Sequence, residues 1–332
     1  MRIGDGIELL SQCRRVSTYS LDSRRAGPPN GARRAGNHTG QQYRDITDES
    51  ARSSIGHNPS RNGRGRCNLV RETGAKDYAM TYDLTRFDLG DMLKCSPRLR
   101  EVASGQPTLE ASAQRTCKFL YDELHGPGVE HACALVRCYK THAFQSLEPD
   151  LQRFAQKVLG NERARPDMKC LTLMATVGST GSWNSRHLSR GHRAIPLPSP
   201  EIVEKAPMIS QLIKDMGLEL SHVIQPSADI VQELAGKRHG VFHVEHALGS
   251  PYIPAQEEFV LRHGIKSVVG FGGMLATGDL FAVILFATVQ VPASTADRFK
   301  SLALDVKSAF SRFGDNRVFN NIGALGNQEA RA

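Results

Sequence analysis

An α+β fold, a mostly antiparallel sheet with helices packed on it, is what the 332-residue sequence predicts. Three observations carry that expectation. From residue 80 onward, apolar runs with helical period alternate with runs of strand period. Near the C-terminus two apolar runs, 265–271 and 279–289, flank GGMLATG, whose Thr277-Gly278-Asp279 supplies the turn signal of a hairpin. Residues 1–79 stand apart, with no Phe or Trp and 39 positions that are Gly, Ser, Arg, Asn or Pro. Such a stretch cannot bury enough apolar surface to offset the entropy of ordering it, so a disordered tail is expected over 1–79.

The elements follow in order. Residues 87–103 read as two short helical turns, the second opened by Ser96-Pro97, within a helical lead-in over 80–107. The domain itself is expected over 108–315. A helix from Thr108 to Leu124 carries Leu109, Ala113, Cys117, Leu120 and Leu124 on one stripe. Ala132–Tyr139 is apolar on both faces, as an inner strand is. Pro149 opens a helix with Leu151, Phe154, Ala155, Val158 and Leu159 on its apolar side, and Gly160 ends it. Lys169–Val177 alternates as a strand with one core face and one half-polar face. The pattern then stops over about 179–199, a gap of the length that functional loops have. Ser199-Pro200 opens a helix that Pro207 divides, and a short helix spans Ala228–Leu234. Val241–Val244 is a short strand after the break at Gly240, and GFGGM (270–274) is expected to form a bulged hairpin between the last two strands. A helix over Ser294–Phe313 closes the domain, and 316–332 is expected to fray.

Charge and cysteine usage narrow the class. The net charge is +8, but residues 1–79 hold 14 Lys and Arg against 8 Asp and Glu, so six of the eight charges sit in the tail. The Arg clusters there invite a polyanion contact, yet the absence of Phe and Trp removes the stacking that single-stranded nucleic acid needs, and nucleic acid is not the expected partner. No apolar run reaches ~18 residues, which excludes a spanning helix. The early cluster Ile7, Leu9, Leu10, beside Asp5 and Glu8, is too short for a signal peptide, and the abrupt change of composition at Met80 offers an alternative native start there. Seven cysteines at irregular spacing suit reduced, buried thiols in a cytoplasmic protein.

The stretches VRCYKTH (136–142), DMKCLTLMATVG (167–178), SWNSRHLSRGHRAIPLPS (182–199), PMISQLI (207–213), LGSPYIPAQEEFV (248–260) and GFGGMLATGDLFAVILF (270–286) resemble a bacterial GAF-like sensory module. That module is often found upstream of PAS, histidine-kinase, diguanylate-cyclase or phosphatase output domains. The likeness covers about 85–315. It implies a GAF-type fold and a regulatory role in signal transduction, without a catalytic set to carry over. No output domain follows in this sequence, so the module is expected to act alone, on an output protein in trans, or as a truncated reading frame, with a homodimer formed through the terminal helices as a further expectation.

The residues themselves offer one candidate site. The 179–199 loop carries Trp183, Asn184, Arg186, His187, Arg190, His192 and Arg193. Arg and His donors there suit a phosphate or carboxylate, and Trp183 suits stacking, so Trp183, Asn184, Arg186, His192 and Arg193 are the expected ligand contacts beneath a lid. The competing reading is a basic surface loop whose Trp plugs the core edge. Cys133, Cys138 and Cys170 open a second reading, a thiol-dependent reductase on the same fold; a regular strand would put Cys133 and Cys138 on opposite faces. His239, His243, His246 and His263 lack metal-ligand spacing, as does His142, and no metal or cofactor is expected. No P-loop, GxSxG or paired-acid motif occurs. The expected function is therefore a non-catalytic sensory domain that binds a small molecule.

Overall fold

The chain's computed structural model describes residues 81–235, 240–314 and 317–320; the tail expected over 1–79, His239 and residues 321–332 lie outside them. A short parallel pair, β1 (Tyr82–Asp83) with β2 (Leu124–His125), brackets two helices, α1 (Leu89–Ala103) and α2 (Leu109–Glu123). Next come β3 (Cys133–Ala143), α3 (Pro149–Leu159), β4 (Lys169–Gly178) and β5 (Ala194–Pro196). Four short helices follow: α4 (Pro200–Val203), α5 (Pro207–Asp215), α6 (Leu220–Ile224) and α7 (Ala228–Ala235). The chain continues through β6 (Val241–Val244), a π-helical turn (Gln256–Leu261), β7 (Ser267–Met274), β8 (Leu280–Ala287) and α8 (Ala293–Phe310).

The main sheet has six strands in the order β5-β4-β3-β8-β7-β6, and every neighbouring pair is antiparallel. It is two three-stranded meanders joined at their inner edges by β3 and β8. α1, α2 and α8 cover one face, where Phe87, Phe271, Phe281, Phe299 and Phe310 are fully buried. Each such ring contributes about 1.5–3 kcal/mol relative to exposure. α4, α5, α6 and α7, with the chain on either side of the π-helical turn, cover the other face around Leu173, Leu212, Phe242 and Ile284. α3 forms a smaller cluster of its own against Cys170 and Ala194.

Caps set the helix starts. Asp88 and Asp91 exchange side-chain and backbone hydrogen bonds at the head of α1, and Thr108 Oγ1 accepts from Ala111 N–H at 3.1 Å at the head of α2. The two helical turns expected over 87–103 are one continuous helix with Pro97 inside it. Pro97 removes the bond to the Leu93 carbonyl, but both residues lie on the exposed side, so water meets that carbonyl while Cys95, Leu99 and Ala103 stay in the core. Asp305 of α8, itself buried, ties α1 down by accepting from Ser96 Oγ at 2.6 Å and from Arg100 Nε at 3.0 Å.

Four further expectations change. The face of β4 expected to be half-polar is buried and does not run straight through: Thr172 lies with Cys170 on the side of α3, whereas the extra residue Met174 turns Thr176 to the opposite side, level with Arg137. GFGGM is part of a regular β7, and Leu275–Asp279 makes the turn instead; β7 pairs with β8 from Ser267 to Met274 without a register shift. The bulges lie in β3 and β4. Cys133 pairs with Ala287 and Leu135 with Phe286, leaving Ala134 as an extra residue, and Met174 is extra in the same way opposite Cys138 and Tyr139. The Ala134 bulge puts Cys133 and Cys138 on the same face, against the regular-strand expectation. Finally, residues 317–320, expected with the frayed end, dock on α2: Glu110 N–H donates to the Val318 carbonyl at 2.9 Å.

Gly272 shows why β7 is glycine-rich. A Cβ there would sit 2.1 Å from the Phe281 carbonyl oxygen, which is backbone and cannot swing aside. Gly272→Ala is expected to lower stability by about 3 kcal/mol in urea denaturation, whereas Gly181→Ala, with open space around it, stays within about 0.5 kcal/mol of the parent.

Candidate functional site

The 179–199 loop leaves β4 and returns as the edge strand β5. Its inward side chains are committed to neighbours. Asn184 completes the end of β4, since its Oδ1 accepts from Gly178 N–H at 3.0 Å and its Nδ2 donates to the Gly178 carbonyl at 3.1 Å. Trp183 lies half-buried against Gly178, with its ring 4.5 Å from His263 and 5.9 Å from Phe259 of the π-helical turn. It is the plug at the core edge rather than a free stacking platform. Single π-helical turns recur at functional sites, and here the turn supplies the wall on which the loop rests.

Arg186 is buried. Its Nε donates to Glu110 Oε1 at 2.7 Å and its Nη2 to Glu110 Oε2 at 2.9 Å, with Glu148 Oε2 2.8 Å away. Its guanidinium also lies 5.1 Å above the Phe319 ring. Burial alone would release the Arg186 proton more easily; the two carboxylates outweigh it and raise the pKa. Asn320 N–H donates to the same Glu110 Oε2 at 2.9 Å, so one carboxylate holds both the loop and the chain beyond α8. Arg193 pairs with Asp150, in the first turn of α3 where the helix dipole favours negative charge. Of the five expected ligand contacts, Trp183, Asn184, Arg186 and Arg193 thus build the loop. His192 remains exposed, with a left-handed backbone at φ 58°.

Two charged residues inside β3 carry chemistry that the sequence reading passed over. Arg137 lies half-buried beneath the loop, donating from Nη2 to Ser189 Oγ and from Nη1 to Tyr139 Oη, each at 3.3 Å. Lys140 is buried at the sheet end, where its Nζ and that of Lys169 each donate to Asp279 at 2.7 Å. Burial would push the Asp279 carboxyl up; the two ammonium groups prevail and hold it at about 2, against an ordinary 3.8. His142 beside them is held down to about 3 by burial and then by the Lys140 charge, and its Nε2 has no partner. The signal available in the sequence was a cation within an otherwise apolar inner strand, because such residues are almost never buried without a reason.

Cys133, Cys138 and Cys170 do not converge on a reactive centre. Burial pushes the Cys133 and Cys170 thiols up to about 12 and Cys138 higher still. His243 bonds the Val291 carbonyl through Nε2 at 2.9 Å, and His246 lies 3.3 Å from Gln290 Nε2. Among the described residues no three His, Cys, Asp or Glu side chains group to hold a metal, and no helix is long and apolar enough to cross a membrane. A cavity of about 250 Å³ is lined by none of the loop's residues but mainly by Ala247, Leu248, Val260, Leu261 and Ile265. Neither a scan against protein-family models nor a search of curated proteins finds a match for this chain.

Removing Arg186 leaves the buried Glu110 and the half-buried Glu148 without their cation. Arg186→Met is expected to lower stability by about 3–5 kcal/mol and to raise hydrogen exchange across both the loop and residues 317–320. Asp279 gives a pH signature. Because its folded-state pKa is depressed, its contribution is complete above about pH 4 and is lost as the pH falls toward 2. Between about pH 5 and pH 2 the parent should lose about 2 kcal/mol more in urea denaturation than Asp279→Asn does.

Proposed function

We propose that this chain is a non-catalytic, GAF-like sensory domain of the kind used in bacterial signal transduction. A small molecule held between the sheet and the 179–199 loop shifts the balance between two packings of the terminal helices α1 and α8. A partner protein in trans, or a second copy of the chain, reads that change. The observation that carries the reading is the shared carboxylate of Glu110. It accepts from Arg186 of the loop and from Asn320 beyond α8, so a displacement of the loop is felt where the last helix leaves the domain. Asp305 then passes a shift of α8 to α1 through Ser96 and Arg100.

The reductase reading fares worse on the same residues. A thiol with a pKa near 12 is essentially all protonated at neutral pH, and the thiolate is the nucleophile. Iodoacetamide at neutral pH is expected to leave Cys95, Cys117, Cys133, Cys138 and Cys170 unmodified until denaturant is added; rapid native labelling of Cys133, Cys138 or Cys170 would restore that alternative.

Native mass spectrometry of the protein isolated from its own source tests the sensory reading directly. A retained small molecule is expected, and stripping it should raise hydrogen exchange in α1 and α8 as well as in the loop. Identical exchange in the two helices with and without the molecule would sink the reading.

A further inference from the structure

We propose that Arg137 anchors an oxyanion site between the sheet and the 179–199 loop, taking the carboxylate or phosphate group of a small anionic molecule. The inference rests on the ligand-binding reading above and gives that ligand a chemical class.

Four arginines are buried or half-buried among the described residues: Arg98, Arg137, Arg186 and Arg193. Three of them meet carboxylates, Arg98 on Glu123, Arg186 on Glu110 and Glu148, and Arg193 on Asp150. Arg137 meets none. Its contacts are the hydroxyls of Tyr139 and Ser189, both at a long 3.3 Å, and its Nε is buried without any partner. A guanidinium presents five N–H donors, so most of this one's capacity is unused. Holding a cation partly out of water with no counter-charge is costly, and the fold bears that cost in the middle of its central strand.

What surrounds Arg137 suits an anion. Ser189 Oγ now donates to the Gly191 carbonyl at 3.0 Å, and a hydroxyl rotor there or on Tyr139 can turn to donate to an incoming oxygen. Loss of solvation at the ring, and after it the Arg137 charge, lowers the His192 pKa below its ordinary value, although part of the residue faces solvent. The neutral imidazole keeps one N–H to offer. His192 holds a left-handed backbone, the kind of local strain that persists at binding sites. His192 is exposed and Gly191 partly so, which leaves an approach from solvent. A planar carboxylate, or two oxygens of a phosphate, matches the guanidinium fork, whereas a neutral or cationic ligand would leave the charge uncompensated.

The test uses the full chain, stripped of retained molecules, with inorganic phosphate, acetate and citrate as separate probes against chloride at matched ionic strength. At least one probe should raise the Tm of the parent by about 3 °C or more. Arg137→Gln should abolish that rise while melting, without probe, at or above the parent's Tm, because an uncompensated charge has been removed. Response to phosphate alone assigns a phosphate group, and response to acetate or citrate a carboxylate. Should Arg137→Gln fail to fold, Ser189→Ala serves in its place and is expected to weaken the effective probe about tenfold. The proposal is overturned if no probe stabilises the parent, or if the variant keeps the full response. If the response depends on Arg137 but hydrogen exchange in α1 and α8 ignores the probe, the oxyanion site stands and the sensory reading falls.

Discussion

The sheet is buried on both faces, and most of the molecule follows from that constraint. Helices α1, α2 and α8 close one side and the short helices between β5 and β6 close the other. A strand in such a sheet has no solvent face on which to place polar residues, so β8 is apolar throughout its length. Where a charge does enter β3, it must find a partner or stand out as unpartnered. Lys140 finds Asp279, whereas Arg137 finds only two hydroxyls.

The loop over the sheet obeys the same logic in reverse. Its sequence is basic, which suggests donors held out to a ligand, but the acidic residues that meet it lie elsewhere in the chain. Glu110 comes from α2, and Glu148 and Asp150 from the start of α3. Buried ion pairs of this kind are weak sources of net stability but severe on any rearrangement that separates them. The loop is therefore fastened at Arg186 and Arg193, while the Ser189–His192 stretch between them carries no ion pair among the described residues.

The fold was legible wherever one local pattern decided it. The spacing of Leu151, Ala155 and Leu159 with Pro149 and Gly160 marks α3, and the apolar run with its Thr-Gly-Asp turn marks β7 and β8. Long-range effects were not legible. The break expected at Pro97 is overridden by the packing of Cys95 and Leu99, and the faces of Cys133 and Cys138 depend on a bulge set by pairing with β8. The loop was found, but the roles within it were not, because a sequence does not say which carboxylates will lie beneath Arg186 and Arg193. Arg137 was visible as a charge in an apolar strand, and only the three-dimensional tally of counter-ions distinguishes it from Arg98, Arg186 and Arg193, which meet carboxylates.

The strand order also shapes the path by which the chain folds. Each meander is local in sequence, yet the central ladder joins Cys133 to Ala287 and Lys140 to Phe281. Contacts this distant close late and slow the search for the native state. During synthesis β3 leaves the ribosome long before β8, and until then its inner edge is an unpaired, apolar template for other chains. Arg137 and Lys140 place two charges within that edge, an interruption of the kind that limits pairing with other chains.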